Sequence, residues 1–234
     1  MKKSELAELK EKLNSQANPE KAKLLKRFFK TGKGEYGEGD VFLGVTVPES
    51  RNIAKKYANL KLKDVIKLLC SAIHEERLIA LLIMIDKFQA EEEQKKIFDL
   101  YLKNTKHINN WDLVDLSAHK IVGAHLADKS KSILYKLAQS KNLWERRIAV
   151  ISTLNFINHN QFSENLKIAR ILLNDKHDLI HKAVGWMLRE VGKRDLKSEE
   201  EFLKEHCQQM PRTMLRYAIE RFPEEKRKQY LNHG

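Results

Sequence analysis

The 234-residue chain has little cysteine, little proline and no long apolar run. Its two cysteines, Cys70 and Cys207, lie far apart and match no metal-ligand spacing, which argues against a disulfide framework and a structural zinc site. The longest apolar run, Leu78 to Ile85, is too short to cross a bilayer. The N-terminus leads into charged amphipathic sequence without an apolar signal core. We therefore expect a reduced, soluble, cytoplasmic protein that binds no membrane and no metal.

Proline is absent between residues 49 and 210. This stretch is rich in Leu, Ile, Ala, Lys and Glu and shows no period-two alternation, so it predicts successive helices without strands. Pro19, Pro48 and Pro211 stand where a helix could begin, a position that proline tolerates. Glycine is concentrated between Thr31 and Val47, which predicts a loop. Because this glycine-rich loop lacks the lysine and serine of a P-loop, we interpret it as a flexible connection between helix pairs.

Four amphipathic segments begin with a charged turn and continue with apolar sequence: Glu75–Phe88, Trp111–Leu126, Trp144–Ile157 and Leu179–Val191. The spacing gives Arg77, Arg147 and Lys182 the same place in this pattern, at multiples of about 35 residues. A period of this length, built from paired helices, is typical of an α-solenoid. We expect one all-α domain of helical repeats over residues 1–234, with C-terminal helices at 198–233 and a concave basic face.

Positive charge is in excess over negative charge. The chain has 44 Lys and Arg against 32 Asp and Glu, a formal net charge of +12, and a pI near 9.5. A surplus of this size favours a polyanionic partner, and nucleic acid is the commonest one. A lysine-rich proteome would give the same composition, so that alternative stays open. Lys30 and Lys33, beside and within the glycine-rich loop, could contact a phosphate backbone.

The segment from Asn109 to Asp115 places an aromatic ring and a carboxylate four residues apart. On a helix these two positions lie on one face. Asn110 is a plausible N-cap, so Asp115 would lie near the positive end of its helix and stay ionised. A fixed anion beside the Trp111 indole suits a positively charged transition state, whereas core packing is the alternative for a lone tryptophan.

Other candidate side chains lie in the later amphipathic segments. Trp186 follows Lys182 by four residues, while Trp144 stands at a helix start and is better explained as a structural contact. Arg147 could grip a phosphate with its planar fork or pair with a neighbouring acid. Arg146 points about 100° away from its neighbour on a helix, so we do not expect both to serve one contact. The nine histidines show no metal-ligand spacing, and no serine elbow or dinucleotide fingerprint occurs.

Several segments together resemble the AlkD-type DNA alkylation repair glycosylases. The resemblance rests on Asn110–Asp115, Trp144–Ala149, Lys182–Glu190, Asn18–Ala22, and Phe42–Val45 with Pro48, Glu49 and Arg51. It implies a solenoid of HEAT-like repeats that wraps duplex DNA and needs no cofactor. It also implies hydrolysis of the N-glycosidic bond of positively charged N3- and N7-alkylpurines, which is base excision repair of alkylation damage.

By motif match, the resemblance implies that Asp115 is the catalytic carboxylate and that Trp111 and Trp186 flank it. Arg147 would hold the DNA backbone near the lesion. The sequence departs from the family pattern at Phe28, where we expect a tyrosine, and in a longer glycine-rich loop. We expect a monomer whose partner is double-stranded DNA with alkylated bases. The further candidate DNA-binding cations are Arg146, Lys182, Arg189, Lys30 and Lys33.

Two other functions stay open. A non-catalytic DNA-binding solenoid that recognises bent or branched DNA would keep the fold without the chemistry, because a fold does not fix an activity. A protein-interaction scaffold would present an apolar or mixed groove in place of a basic one. The enzyme interpretation requires an accessible carboxylate: it fails if Asp115 turns outward or is buried in an ion pair far from the groove.

Overall fold

The computed structural model describes residues 3–233, and of His233 only the backbone. In this range the chain is all-α and has the helical-repeat fold expected from its sequence; the only extended pairing in the range is a single bridge between Val41 and Ile73. Two 3-10 turns, Thr105–His107 and Ile219–Arg221, and a π-helical turn, His119–Gly123, interrupt the α-helices. The α-helices are α1 Glu5–Asn14, α2 Pro19–Phe28, α3 Val47–Lys56, α4 Leu62–Leu69, α5 His74–Gln89, α6 Gln94–Lys103, α7 Trp111–Ala118, α8 Ser132–Ala138, α9 Leu143–Asn158, α10 Ser163–Leu172, α11 Asp178–Gly192, α12 Leu196–His206, α13 Arg212–Ala218 and α14 Glu224–His233.

All four amphipathic segments are helical. Helices α5, α9 and α11 extend one residue beyond the predicted bounds at each end, whereas the segment from Trp111 divides into α7 and the π-helical turn. The π-helical turn ends at Gly123, where α9 lies so close that a side chain would not fit. A Cβ at this position would lie 2.3 Å from the carbonyl oxygen of Ser152. Pro19 and Pro48 stand in the first turn of α2 and α3, as expected of proline.

The chain divides into two compact units, residues 1–113 and 114–234, with the boundary inside α7. In the first unit α5 packs against α3, α4 and α6. Every residue of α5 from His74 to Ile85 is buried, so this helix is covered on all sides. The single domain over 1–234 stays a prediction.

In the second unit the central helices are α9 and α11. Helix α9 packs against α8, α10, α11 and the π-helical turn, and α11 also contacts α12 and α13. Trp144 at the start of α9 is 7 % exposed and belongs to the core, which confirms the structural contact expected for it. The long helices are thus covered by shorter ones, as in stacked helix pairs.

A hydrogen bond recurs at the start of the three long helices and fixes the register of the repeat. In each case a basic side chain in the first turn bonds to the carbonyl oxygen of the residue six positions earlier, at 2.6–3.0 Å. These bonds tie the helix start to the preceding connection. The pairs are Arg77 with Ser71, Arg146 with Ser140, and His181 with Asp175.

The recurring bond makes Arg77 equivalent to Arg146. The register predicted from charge, which matched Arg77 to Arg147, is therefore wrong by one residue. Spacing could not choose between two adjacent arginines, whereas the bond geometry does. The residue that corresponds to Arg147 in the first unit is Leu78.

The glycine-rich loop contains no helix, as expected, but it is firmly anchored. The buried carboxylate of Glu75 accepts hydrogen bonds from the backbone amides of Leu43, Gly44 and Val45, at 2.8–3.3 Å. Gly44 has φ +84°, and a Cβ there would lie 2.1 Å from the carbonyl oxygen of Asn18. The flexible connection expected from composition is therefore wrong for this end of the loop.

Candidate functional site

Asp115 of α7 is held by Arg147 of α9. The Nε and Nη2 atoms of Arg147 donate to Oδ1 and Oδ2 of Asp115 at 2.8 and 2.7 Å, and Nη1 donates to the carbonyl oxygen of Leu179. This two-pronged contact fixes the plane of the carboxylate as well as its position. The side chain of Arg147 is 6 % exposed and that of Asp115 is 19 % exposed. Asp115 is thus in an ion pair, but it is not fully buried.

The geometry of this pair leaves Asp115 able to act on a further group. The Asp115 side chain remains 19 % exposed. This exposed part can face a cation or accept a hydrogen bond from water. Arg147, by contrast, is closed in by its partners.

The Trp186 side chain is fixed in α11 by its own helix. Its Nε1 donates to Oε1 of Glu190 at 3.1 Å, and Lys193 donates to the same oxygen at 2.6 Å. The indole is half-buried. Its orientation is therefore set by a hydrogen bond one turn further along α11.

Trp111 begins α7, and its amide donates to Oδ1 of the preceding Asn110 at 2.8 Å; the capping bond expected of Asn110, to an amide further into the helix, stays a prediction. The indole stacks on Phe29, with ring centroids 5.3 Å apart. Phe28, the residue found where a tyrosine was expected, meets the indole edge-on at 5.9 Å. Trp111 is therefore oriented by the aromatic end of α2.

A buried charge network in the first unit was not anticipated from the sequence. Oδ1 of Asp40 lies 2.7 Å from Nη2 of Arg77, and Oδ2 lies 3.2 Å from Nδ1 of His74. The other ring nitrogen of His74 lies 2.8 Å from Oδ2 of Asp112. Asp112 is an acid in the first turn of α7 and also accepts from the Leu113 amide. The partners lie 34 and 38 residues apart in the chain, so local spacing gave no signal for them.

The network determines the protonation of its members. Burial opposes the charge on His74, but hydrogen bonds to Asp112 and Asp40 outweigh burial and raise the pKa of His74 to about 9. Burial also opposes the charge on Asp40, yet the bond from His74 and the charge of Arg77 hold the pKa of Asp40 below its ordinary value. At neutral pH the His74 ring of this network is therefore an imidazolium, and Asp40 is ionised.

His119, four residues after Asp115, has the opposite environment. Burial, together with the charge of Lys120, lowers the pKa of His119 to about 4. Its ring is neutral at physiological pH. It therefore cannot donate a proton as an imidazolium in a reaction near Asp115.

Besides Arg147, three of the candidate DNA-binding cations have acidic partners. Nε of Arg146 lies 2.6 Å from Oδ2 of Asp175, Nζ of Lys182 lies 2.7 Å from Oδ2 of Asp178, and Arg189 pairs with Glu220. Their positive charge is therefore partly compensated, and binding of DNA by these residues stays a prediction. The two other candidates, Lys30 and Lys33, are exposed and form no ion pair within residues 3–233.

The described residues contain no candidate metal site and no candidate membrane span. Among residues 3–233, no group of three or more His, Cys, Asp or Glu side chains is placed to hold a metal ion. No helix in that part of the chain is both long and apolar enough to cross a lipid bilayer.

Comparison with known proteins places the chain. A family model described as "DNA alkylation repair enzyme" matches residues 9–222. The chain belongs to that family. A similar solved structure, "Predicted DNA alkylation repair enzyme from Enterococcus faecalis", is 19 % identical with a TM-score of 0.68, over 89 % of this chain and 98 % of that one. The structure of smu.31 from Streptococcus mutans UA159 is 17 % identical with a TM-score of 0.55, over 80 % and 91 %. A comparison with curated proteins gives no match.

The family assignment confirms the resemblance found in the sequence. At these identities the solved structures show the fold of this DNA alkylation repair enzyme and nothing finer. Its geometry adds that Asp115 and Arg147 are in direct contact. The substrate, the reaction and the role of each side chain are matters for the proposal that follows.

Proposed function

We propose that the protein is a DNA glycosylase that hydrolyses the N-glycosidic bond of N3- and N7-alkylated purines in duplex DNA. The observation that carries the proposal is the Asp115 carboxylate, which two bonds from Arg147 hold in place and whose side chain remains 19 % exposed. Such purines already bear a positive charge, so they leave without a general acid. The neutral ring of His119 is compatible with that requirement.

The ion pair reduces the catalytic effect of Asp115 without abolishing it. As the bond stretches, positive charge moves onto the deoxyribose. A carboxylate about 4 Å away stabilises that charge by about 4 kcal/mol at an effective dielectric constant near 20, and a guanidinium behind it, about 8 Å away, opposes by about 2 kcal/mol. The net gain of about 2 kcal/mol is worth about 30-fold in rate, and orienting the attacking water would add to it.

In this proposal Arg147 positions Asp115. Its low exposure and its third bond, to the Leu179 carbonyl oxygen, support this role over the expected grip on the DNA backbone. Trp111 and Trp186 present indole faces to the cationic sugar, each worth about 0.5–2 kcal/mol. The proposal includes duplex DNA as the partner and a cytoplasmic monomer that works without a cofactor.

The test follows release of the base from a duplex with one N7-methylguanine, with enzyme in excess. We expect Asp115→Asn to lower the rate constant by about 30-fold or more, because the carboxylate charge is lost. Asp128→Asn is the matched control, since Asp128 is an exposed aspartate of the same unit. Thermal melts of both variants establish that they are folded. Equal rates for wild type and Asp115→Asn would contradict the proposal.

The same ion pair favours a second candidate function. If Arg147 cancelled the Asp115 charge completely, the protein would be a non-catalytic binder of bent or branched DNA. It would then bind such DNA tightly, with an affinity that falls steeply as salt rises, and release no base from any alkylated duplex. Measured base release, sensitive to Asp115, excludes this alternative.

A further inference from the structure

The carboxylate of Glu190 lies among three donor groups of its own helix, α11. The Trp186 indole and Lys193 both donate to Oε1, and Nη1 of Arg194 lies 3.6 Å from Oε2. The Glu190 side chain is 13 % exposed, whereas those of Lys193 and Arg194 are 40 % and 29 % exposed. The carboxylate is therefore more enclosed than the two cations that surround it.

The cluster is anchored to the neighbouring helix α9. Nη2 of Arg194 donates to Oδ1 of Asn158, the last residue of α9, at 2.7 Å. Near the other end of α11, Arg147 of α9 donates to the carbonyl oxygen of Leu179. The two helices are thus joined near both ends of α11, and Trp186 lies between the two joints. The donors around the carboxylate are therefore fixed relative to the helix that holds Asp115.

The hydrogen bond to Glu190 is what orients the Trp186 ring. An indole has a single N–H donor and no acceptor, and here that donor is used. Within residues 3–233 no aromatic ring stacks on Trp186, whereas Trp111 stacks on Phe29. Without Glu190 the half-buried ring would keep no polar contact that selects one rotamer. With its N–H occupied, the indole can offer DNA only its face and its apolar edge.

A simple ion pair on the helix surface is the alternative role for Glu190. Pairs with Lys193 and Arg194, three and four residues further on, would stabilise the helix slightly. These two cations outnumber the carboxylate, so the cluster as a whole does not attract a cationic sugar. Burial opposes the charge on Glu190, but bonds from Lys193 and Trp186 hold the pKa of Glu190 below its ordinary value. The bond to the indole is therefore charge-assisted at neutral pH, and it is what Glu190 contributes beyond the pairs.

We propose that Glu190 is a positioning residue for base release: by accepting the indole N–H, it holds the Trp186 face in the orientation that meets the cationic sugar. The inference rests on the proposed function and adds a residue to it. Glu190 itself touches neither the sugar nor the base. Its effect is on how often the Trp186 ring is correctly placed when the bond breaks.

Base release from the N7-methylguanine duplex, at saturating enzyme, measures the effect. We expect Glu190→Ala to lower the rate constant about tenfold, because the indole is no longer held in one orientation. Glu190→Gln keeps an acceptor oxygen without the charge and should stay within about threefold of wild type. Glu201→Ala is the matched control, since Glu201 is an exposed glutamate of the same unit that pairs with Lys197.

A double-mutant cycle tests whether Glu190 acts through the indole. Trp186→Phe keeps an aromatic face but has no N–H for Glu190 to bind. In that background we expect Glu190→Ala to slow base release by less than about twofold more. A further tenfold loss there would overturn the proposal, because Glu190 would then act independently of Trp186.

A measurement without DNA tests the hydrogen bond itself. The three tryptophans give three indole N–H signals in a nitrogen–proton correlation spectrum, and Trp186→Phe identifies the signal of Trp186. We expect Glu190→Ala to shift that signal and to leave the other two in place, and the same spectra show that the variant is folded. An unshifted signal overturns the proposal.

The kinetic outcomes separate the two proposals. If wild type releases no base, the proposed function fails and the role of Glu190 fails with it. If wild type releases base and Glu190→Ala does so at the same rate, only the role of Glu190 is overturned.

Discussion

Asp40 in the first unit and Asp115 in the second each accept a hydrogen bond from an arginine, yet their side chains are 3 % and 19 % exposed. The Asp40 carboxylate is enclosed by its partners. Besides Arg77 and His74, the side-chain amides of Asn109 and Asn110 also donate to it. An ion pair between an arginine and an aspartate can therefore have either of two roles. A carboxylate enclosed by donors stabilises the fold, whereas one with an open edge can meet a substrate.

The repeat register sharpens this difference. Leu78 and Arg147 occupy equivalent positions, one residue after Arg77 and Arg146. Leu78 lines an apolar cavity of about 370 Å³ in the first unit, and Arg147 holds Asp115 in the second. The same position of the repeated helix start is thus an apolar side chain in one unit and the arginine that binds a carboxylate in the other.

The largest expected effect is on stability, in the first unit. Arg77→Gln leaves Asp40 buried with an incomplete set of partners, and we expect a loss of about 3–5 kcal/mol in the free energy of unfolding. Urea denaturation measures it, with Arg27→Gln, an exposed arginine of the same unit, as control. A loss below about 1 kcal/mol would show that the network around Asp40 is not a stabilising one.

The next effect distinguishes the Asp40 network from the Asp115 pair by how stability depends on pH, because only the Asp40 network contains His74. Its folded pKa of about 9 lies above the ordinary value of 6.5, so bound protons stabilise the folded state. That contribution is complete below pH 6.5 and is lost as pH rises through 9, about 3 kcal/mol in all. We expect His74→Gln to remove this part of the decline in the free energy of unfolding. Urea denaturation curves measured across this pH range test it.

Glu199 should cause a second decline in the free energy of unfolding as pH rises, and this decline must be measured separately. Burial, with the charge of Glu200, raises the pKa of Glu199 to about 8 from 4.5, so its contribution is complete below 4.5 and lost as pH rises through 8. Glu199→Gln should remove that decline and leave the one due to His74. If the free energy of unfolding of His74→Gln changes with pH as that of wild type does between pH 6.5 and 9, the imidazolium does not stabilise the fold.

The smallest effect concerns the bidentate contact between Arg147 and Asp115. Arg147→Lys keeps the positive charge but replaces two fixed bonds with one flexible contact, so we expect base release to slow by about tenfold. Arg170→Lys, at an exposed arginine of the same unit that pairs with Glu205, is the matched control. Faster release in Arg147→Lys would mean that Arg147 suppresses Asp115 more than it positions it.

Much of the fold could be predicted from the sequence, because helix periodicity and proline position are local signals. Helices α5, α9 and α11 were located to within one residue. Motif match named Asp115 and Arg147, but not their bond, since the partners lie 32 residues apart. The link between His74 and Asp40 escaped for the same reason: a loop aspartate carries no mark of its distant partner.

The contact between Glu75 and the amides of Leu43, Gly44 and Val45 has a consequence for how the protein meets a polyanion. Converging backbone amides beside a glycine can hold a phosphate group. Here a carboxylate of the chain itself occupies that position, as a tethered competitor at high effective concentration. The three amides at Leu43–Val45 are thereby closed to an external phosphate group.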